Sequence, residues 1–189
     1  MNKEEKFRVA LSSIKNILDK NNQSFFLLEG TLLGLHRDNK FIPYDDDIDL
    51  GIFYDKLNPK IKDIIISSGE FRLCKEFGKI DISYELLFYH NKTNVSLGIV
   101  VNYKIKDDYY YHPGFCGICD TTNEGFCKFG NHIRGLKQVT FYDEVYLIPS
   151  NTEEWLMETY GDDYMIPKKK GKYTDALKNN FYKNIINLR

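Results

Sequence analysis

The sequence predicts a mixed α/β (α+β) domain, in which a mixed β-sheet is flanked by helices and the C-terminal end is helical. The 189 residues are 42% hydrophobic and 28% charged, a composition typical of globular domains. Apolar residues recur at helical spacing towards both ends of the chain, and alternating or β-branched runs lie between them. Because no repeat or linker divides the chain, we expect one domain over residues 1–189, with its core at about residues 23–167.

Three helices are predicted in the N-terminal part of the chain. The first ends near residue 21 and carries these apolar residues at helical spacing: Phe7, Ala10, Leu11, Ile14, Ile17 and Leu18. The second begins with the apolar run at residues 32–35. The third takes Asn58 as its N-cap, has Pro59 at its first position and extends to Gly69.

Strands dominate the rest of the chain. They are predicted over residues 71–77, 80–89 and 95–105, and as a hairpin over residues 139–142 and 145–148. Residues 112–135 are rich in Gly, Cys and Asn, so we expect a long loop there. A last helix is capped within residues 150–152, carries Trp155 and ends at Gly161.

Charge and hydropathy argue against two classes of protein. The formal net charge is −1, so no global basic field attracts nucleic acid, and the lysine run at residues 168–172 is interpreted as a solvated tail. No apolar run approaches the roughly 18 residues that a membrane-spanning helix requires. The charged start also lacks the apolar segment of a signal peptide. We therefore expect a cytoplasmic protein without a membrane span or a nucleic-acid partner.

Residues 45–49 carry the strongest chemical signal, since four of these five residues are aspartates. Carboxylates at this density repel one another unless a cation or water offsets their charge. Strand alternation places Asp47, Asp49 and Gly51 on one face and apolar residues on the other. Two carboxylates that point the same way can share Mg²⁺ or Mn²⁺, and such an ion orients a phosphate ester for in-line attack. Asp47 and Asp49 are therefore the predicted metal ligands and catalytic residues.

Other interpretations of this acidic run are weighed against the metal pair. A solvated acidic turn is disfavoured, because the acids are embedded in an apolar strand. An EF-hand that starts at Asp45 requires glycine at Leu50 and glutamate at Lys56, so it fails. A nucleotide-sugar glycosyltransferase also uses an acid-x-acid pair, but usually after a nucleotide-binding half, and about 45 residues precede the pair here. That function stays as an alternative.

The segment upstream of the acids has the features of a phosphate cradle. Gly30 lets the backbone approach an anion, Thr31 offers a hydroxyl, and the following helix directs its N-terminal amides to the same place. Arg37 and Lys40 lie between this turn and the acidic strand, where they are predicted to hold phosphate oxygens. For each of these two cations, an ordinary surface position remains the alternative.

These segments together resemble a known family. Residues 29–37 read EGTLLGLHR and residues 41–49 read FIPYDDDID, with Tyr44 where tryptophan is usual. Both are similar to motifs of the LicD/fukutin-related family. A downstream block that runs from Ile148 through Tyr160 to Pro167 resembles the C-terminal pattern of that family. The resemblance spans roughly residues 25–167.

The resemblance implies a nucleotidyltransferase-like fold and a metal-dependent phosphotransferase. The group transferred would be phosphocholine or a polyol phosphate, the donor CDP-linked, and the acceptor a hydroxyl of a glycan or glycolipid. By the same resemblance Asp47 and Asp49 are metal ligands and Asp45 is a supporting acid within the substrate-binding set. The residues implied as contacts to the donor phosphates are Gly30, Thr31 and Arg37.

One departure from the family pattern bears on activity. Family members carry a third acid on a later strand, and the matching stretch at residues 96–100 has Gly98 in its place. Asp81 and Glu85 are candidates to replace that acid, and the spacing does not decide between them. Loss of the third acid would weaken binding of a second metal or remove the group that activates the acceptor hydroxyl. A catalytically impaired binding protein with the same fold is therefore a further alternative.

The cysteine-rich segment suggests a second metal. Cys116 and Cys119 form a CxxC pair, and Cys127 and His132 follow. Three thiolates and one imidazole complete a tetrahedral structural zinc site. The irregular spacing after the pair leaves free thiols as the alternative, because a cytosolic chain tolerates them.

Overall fold

The computed structural model describes residues 1–114 and 127–168, with residues 127 and 128 described by their backbone alone. The helices of this part are α1 (Lys3–Lys20), α2 (Glu29–Asp38), α3 (Ile61–Ser67) and α4 (Thr152–Tyr160), and a short 3₁₀ turn covers Tyr54–Lys56. The strands are β1 (Phe26–Leu27), β2 (Asp47–Phe53), β3 (Phe71–Lys79), β4 (Ser83–His90), β5 (Ser96–Lys106), β6 (Tyr109–Gly114), β7 (Cys127–His132), β8 (Leu136–Phe141) and β9 (Glu144–Pro149).

Seven of the described strands form one mixed sheet. Five of them follow the order β1-β2-β5-β4-β3, and β6 and β7 extend the sheet from the C-terminal half of β5. β2 and β5 are parallel, whereas the other neighbours are antiparallel. β8 and β9 form a separate hairpin that contacts β1. The predicted fold class, a mixed sheet flanked by helices with a helix after the last strand, is confirmed.

The central sheet has one apolar face and one acidic face. On the apolar face, Ile48 of β2 and Leu97 of β5 are fully buried, and burial of a side chain of this size contributes about 1.5–3 kcal/mol. On the acidic face, Asp49 pairs in register with Gly98, and Asp47 lies two residues earlier. The alternation predicted for β2 is confirmed. The apolar face anchors the strand, so the carboxylates on the other face are held in fixed positions.

α1 forms where the apolar periodicity predicts it. The Asn2 side chain accepts a hydrogen bond from the Glu5 backbone at 2.9 Å, and the Glu5 carboxylate accepts one from the Asn2 backbone at 2.8 Å. This capping box satisfies N–H groups that have no partner inside the helix. All six predicted apolar positions are buried, and the helix ends at Lys20, next to the predicted end.

Two predicted helix starts are wrong by a few residues. α3 begins at Ile61, because Asn58 forms a turn instead of a cap: its Oδ1 accepts from the Lys60 N–H at 3.0 Å. α2 begins at Glu29, upstream of the predicted apolar run. Glu29 has a φ of 46°, a left-handed conformation that is costly for a residue with a side chain.

The loop predicted over residues 112–135 is wrong at both ends. β6 continues to Gly114, and β7 pairs with it from residue 127 to residue 132. The strand β7 was missed because a glycine-rich composition is typical of a loop, whereas the glycine of β7 has a packing role. A Cβ atom at Gly130 would lie 2.3 Å from the hydroxyl of Tyr109 on the neighbouring strand. β4 also starts later than predicted, since the Ile82 N–H closes a turn onto the Lys79 carbonyl at 3.0 Å.

The predicted hairpin is confirmed and is longer than expected, with its turn at Tyr142 and Asp143 in the left-handed region. Among the described residues, every helix is too short or too polar to cross a membrane.

Candidate functional site

Asp47 and Asp49 lie on the acidic face of β2 and are supported from below by α2. The backbone N–H of Asp49 donates to Thr31 Oγ1 at 3.0 Å, and the Asp49 carbonyl accepts from the Leu28 N–H at 3.1 Å. Thr31 is 1% exposed. Its hydroxyl therefore fixes the position of β2 relative to the first turn of α2. Gly30, Thr31 and the acids of β2 form one structural unit as a result.

Gly30 packs directly against the acids. A Cβ atom at this position would lie 2.1 Å from Asp45 Oδ2, so any side chain here would displace that carboxylate. Asp45 in turn lowers the pKa of Asp47, against the larger effect of burial. The absence of a side chain at Gly30 thus lets the start of α2 approach the acidic run closely, as the sequence predicts for a ligand-binding turn.

Glu29 joins three distant parts of the chain at this site. Its Oε1 lies 3.1 Å from Nε2 of His112 on β6, and its Oε2 accepts a hydrogen bond from the Tyr160 hydroxyl of α4 at 3.2 Å. His112 is 6% exposed, and its ring packs on Phe129 at 5.5 Å between centroids. A left-handed residue with two buried partners is a positioned group, and backbone strain of this kind concentrates at functional sites.

Burial, and then the neighbouring carboxylates, disfavour ionisation of the carboxyl groups of the site. Burial, and then the charge of Asp47, raises the pKa of Asp49 well above its usual range. Burial also raises the pKa of Asp47. For Glu85, burial raises the pKa to about 7; the charge of His112 lowers it, and the charges of Asp47 and Glu29 raise it further. The site therefore concentrates negative charge in a poorly solvated place.

Glu85 and Asp81, the two candidates for the third acid, lie at different distances from Asp47 and Asp49. Glu85 pairs with Val100 of β5 and lies on the acidic face, and its charge raises the pKa of Asp49. Asp81 accepts a hydrogen bond from the Tyr54 hydroxyl at 3.0 Å, just beyond the C-terminal end of β2. At about 3.3 Å per residue, that end is roughly 20 Å from Asp47. Glu85 is therefore close to the site and Asp81 is remote.

The predicted phosphate-binding cations lie further from the acids. Arg37 is on the last turn of α2, about 10 Å along the helix axis from Gly30. Its side chain is 4% exposed, and its Nε donates to Asp38 at 2.9 Å. Lys40 is exposed and lines a groove together with Lys3. The charge of Lys3 lowers the pKa of Asp47, although burial raises it by more.

The proposed zinc ligands lie largely outside the described residues. Cys116 and Cys119 are not among them, and the side chain of Cys127 is not described. For His132, Nδ1 lies 2.5 Å from Glu158 Oε1, and its backbone N–H donates to Glu158 Oε2 at 2.8 Å. The zinc site therefore stays a prediction, with the second ring nitrogen of His132 as its remaining ligand atom.

His132 also belongs to what we call the ion-pair network, formed by Asp108, His132, Arg134, Glu154 and Glu158. The ligand atoms of His132, Glu154 and Glu158 lie within 4.8 Å of one another, a spacing that suits a metal ion. Both carboxylates already have donors, however. Arg134 donates to Glu154 at 2.9 and 2.7 Å and to Asp108 at 2.6 Å. The pKa of Glu154 is lowered to about 2 by the hydrogen bond from Arg134.

The acidic face offers oxygen donors that have not been taken up by basic residues. Asp47, Asp49 and Glu85 have no ion-pair partner in the part of the chain that the structure describes. Their oxygen donors are of the type that Mg²⁺ and Mn²⁺ prefer. A bound cation would remove the repulsion that now raises the pKa values of these groups.

Sequence reasoning missed part of this site. The motif at residues 29–37 gives Glu29 no separate role, and His112 lies at the start of the segment predicted as a loop. Tyr160 belongs to the downstream block of the family pattern. Strand alternation places Glu85 on one face of its strand, but which residues it meets depends on the register of distant strands.

Comparison with known proteins identifies relatives of this chain. A family model described as LicD/FKTN/FKRP, nucleotidyltransferase domain, matches residues 22–151. Ribitol-5-phosphate transferase FKTN of Mus musculus is 34% identical over 147 residues, which cover 77% of this chain and 30% of the relative. The Homo sapiens protein of the same name is 32% identical over 154 residues, which cover 80% of this chain and 32% of the relative.

A more distant relative comes from a bacterium. The uncharacterized protein RP689 of Rickettsia prowazekii is 27% identical over 105 residues, which cover 51% of this chain and 37% of the relative. The chain thus spans about a third of the length of the FKTN relatives that it matches.

Proposed function

The chain belongs to the LicD/FKTN/FKRP family of nucleotidyltransferase domains, and from that premise we propose that it is a metal-dependent phosphotransferase. The donor would be CDP-linked, the group transferred a phosphocholine or polyol phosphate, and the acceptor a hydroxyl of a glycan or glycolipid. The matched FKTN proteins are named ribitol-5-phosphate transferases, which supports a polyol phosphate within this class. The alternative of a nucleotide-sugar glycosyltransferase receives no support from the family match.

A single observation carries the proposal: half-buried carboxylates lie on one face of the sheet, and in the described part of the chain Asp47, Asp49 and Glu85 have no ion-pair partner. Asp47 and Asp49 are fixed by the register of β2 with β5 and by Thr31 beneath them. Protein interiors tolerate such a concentration of like charge poorly unless a ligand is bound. The observation therefore supports a site for a cation and a phosphate rather than a structural role.

Asp47 and Asp49 are proposed to hold Mg²⁺ or Mn²⁺, with Asp45 as a supporting acid beside Gly30. The ion, when bound, would neutralise phosphate charge and orient the reacting phosphorus. Glu29 holds His112 and Tyr160 at the rim of the acidic face. These two side chains would close the site against water on the sides formed by β6 and α4.

The donor phosphates are proposed to lie over the start of α2. Gly30 leaves the backbone accessible there, and the amides of the first helical turn face an anion. Arg37 and Lys40 are the proposed cations for the remaining phosphate oxygens. Because the acids and the donor are both negative, we expect the donor to bind productively only when the divalent cation is present.

The proposed reaction balances as one substitution at phosphorus. The acceptor oxygen forms a bond to the phosphorus that carries choline or the polyol, and the bond from that phosphorus to the bridging oxygen breaks. CMP leaves with the bridging oxygen and its electron pair, and the acceptor proton passes to solvent. The acceptor gains a phosphodiester.

The test is a panel of CDP-linked donors incubated with Mn²⁺ or Mg²⁺ and a glycan acceptor, with CMP release and the product mass as readouts. We expect CMP from one donor and an acceptor whose mass increases by choline phosphate or polyol phosphate. Attachment of a nucleotide to the acceptor would contradict the proposal. Absence of CMP from every donor would favour the second candidate below.

A catalytically impaired binding protein is the second candidate, and Gly98 favours it. The position next to Asp49 lacks the side chain that supplies the third acid in the family pattern. Calorimetry separates the two candidates: donor binding without CMP release indicates the binding protein, and metal-dependent CMP release indicates the enzyme.

A further inference from the structure

Gly98 leaves a gap in the centre of the acidic face. β5 runs between β2 and β4, and Gly98 pairs with Asp49 on one side and with Leu87 on the other. A Cβ atom at this position would lie 3.2 Å from Asp49 Oδ1, so an acid there would stand directly beside Asp49. The glycine removes that acid and also leaves the space above β5 open.

Glu85 reaches the acidic face from the far side of this gap. It lies on β4 and pairs with Val100, so it points to the same side of the sheet as Asp47 and Asp49. Two strand spacings of about 4.8 Å separate β4 from β2. Glu85 lies in the row of Val100, two residues along the sheet from the row of Gly98, and its side chain is one methylene longer than that of an aspartate.

The surroundings of Glu85 and Asp81 differ. In the described part of the chain, no lysine or arginine forms an ion pair with Glu85. Asp81, the other candidate, is instead hydrogen-bonded to Tyr54 at the opposite end of the strands.

We propose that Glu85 supplies, from the neighbouring strand, the third carboxylate of the divalent-cation site that position 98 no longer supplies. The inference rests on the proposed function, because it concerns the cation of that same site. The proposal favours the enzyme over the impaired binding protein, because it supplies a third acid from β4 in place of the one that is missing from β5.

The test is Mn²⁺ binding measured by calorimetry on the wild type and three variants. Glu85→Gln keeps the shape and removes the charge, and the expected result is a dissociation constant raised by about tenfold or more. Asp81→Asn is the matched control, an acid-to-amide change at the remote end, and should change the constant by less than about twofold, since a charge roughly 20 Å away is largely screened.

The third variant tests whether an acid at position 98 can replace the carboxylate of Glu85. Gly98→Asp in the Glu85→Gln background should recover most of the lost affinity, because its Cβ needs only a small shift of the Asp49 carboxylate. Wild-type affinity in Glu85→Gln, an equal loss in Asp81→Asn, or no recovery in the double variant would each overturn the proposal. A wild type that binds no Mn²⁺ would overturn it too.

Two further readouts keep the outcomes distinct. The melting temperature in EDTA reports folding, and Glu85→Gln should equal or exceed the wild type because a crowded charge is removed. If Mn²⁺ binding follows the expected pattern but no CDP-linked donor is turned over, the proposed function fails and the role of Glu85 stands. If CMP is released and Glu85→Gln binds Mn²⁺ as the wild type does, the role of Glu85 is contradicted and the proposed function stands.

Discussion

In the ion-pair network each acid faces a donor of this chain, whereas on the acidic face Asp49 and Glu85 face other acids. Arg134 contacts Glu154 and Asp108 within 3 Å, and the pKa of Glu154 falls to about 2. Burial and like charge raise the pKa of Glu85 to about 7. The two regions have similar numbers of acids but opposite electrostatics.

The difference shows which acids stabilise the fold and which oppose it. Ionisation of a carboxylate that accepts hydrogen bonds from donors of the chain stabilises the fold, whereas ionisation of a carboxylate without such donors destabilises it. The hydrogen-bond and ion-pair partners of each carboxylate are enough to make this distinction. The acidic face therefore has the properties of a binding site, and the ion-pair network has those of a brace that ties β7 to α4.

Removal of one acid should have its largest effect on the acidic face. Asp49→Asn is expected to lower the rate of transfer roughly 1,000-fold, because several kcal/mol of transition-state stabilisation by the cation are lost. Asp108→Asn, in the ion-pair network, is the matched control and should change the rate by less than about twofold. The readout is initial CMP release with Mn²⁺. Equal loss in both variants would contradict the distinction.

The stability of the metal-free protein should fall as pH rises through the range in which Glu85 titrates. Between its ordinary pKa of 4.5 and its folded value of about 7, the folded state binds more protons than the unfolded state. The free energy of unfolding therefore decreases with pH, by about 3 kcal/mol at most. Below pH 4.5 both states are protonated and this penalty is absent.

Urea denaturation in EDTA at several pH values between 5 and 7.5 measures this slope. Glu85→Gln should make it shallower, with the rest due to Asp47 and Asp49, whose pKa values are also raised. Glu154→Gln should leave it unchanged, because the pKa of Glu154 is about 2 in the folded state and its titration falls outside the range. A slope that survives in Glu85→Gln at full size would show that other groups cause it.

The smallest effect is expected from breaking the ion-pair network. Arg134→Ala should lower the free energy of unfolding only slightly, since the side chains are half exposed and solvent screens the pair. Transfer should be unaffected. Lys62→Ala removes an exposed single pair with Glu76 and should cost about half as much or less. A rate loss in Arg134→Ala would instead place the network within the functional site.

Local patterns predicted the parts of the molecule that depend on local sequence. The periodicity of α1 and the alternation that puts Asp47 and Asp49 on one face both follow from side-chain spacing. The close contact between Gly30 and the acidic run was also foreseeable, because few residues separate them. These features need no knowledge of distant strands.

Contacts between distant segments were not predictable in the same way. The choice between Asp81 and Glu85 depends on where the turn before β4 ends, and one residue of register reverses the face on which each side chain lies. The meeting of Glu29 with His112 and Tyr160 depends on how β6 and α4 pack against α2. The strand β7 was not predicted because it contains Gly130, which leaves room for the side chain of Tyr109 on the neighbouring strand.

The most direct test of where the cation binds is a Mn²⁺ titration followed by the EPR signal of the free ion. Three proteins are compared: the wild type, Asp47→Asn with Asp49→Asn, and Glu154→Gln with Glu158→Gln. We predict tight binding in the wild type and in the variant of the ion-pair network, and its loss in the variant of the acidic face. Binding that survives without Asp47 and Asp49, or that disappears without Glu154 and Glu158, would contradict the assignment of the cation to the acidic face.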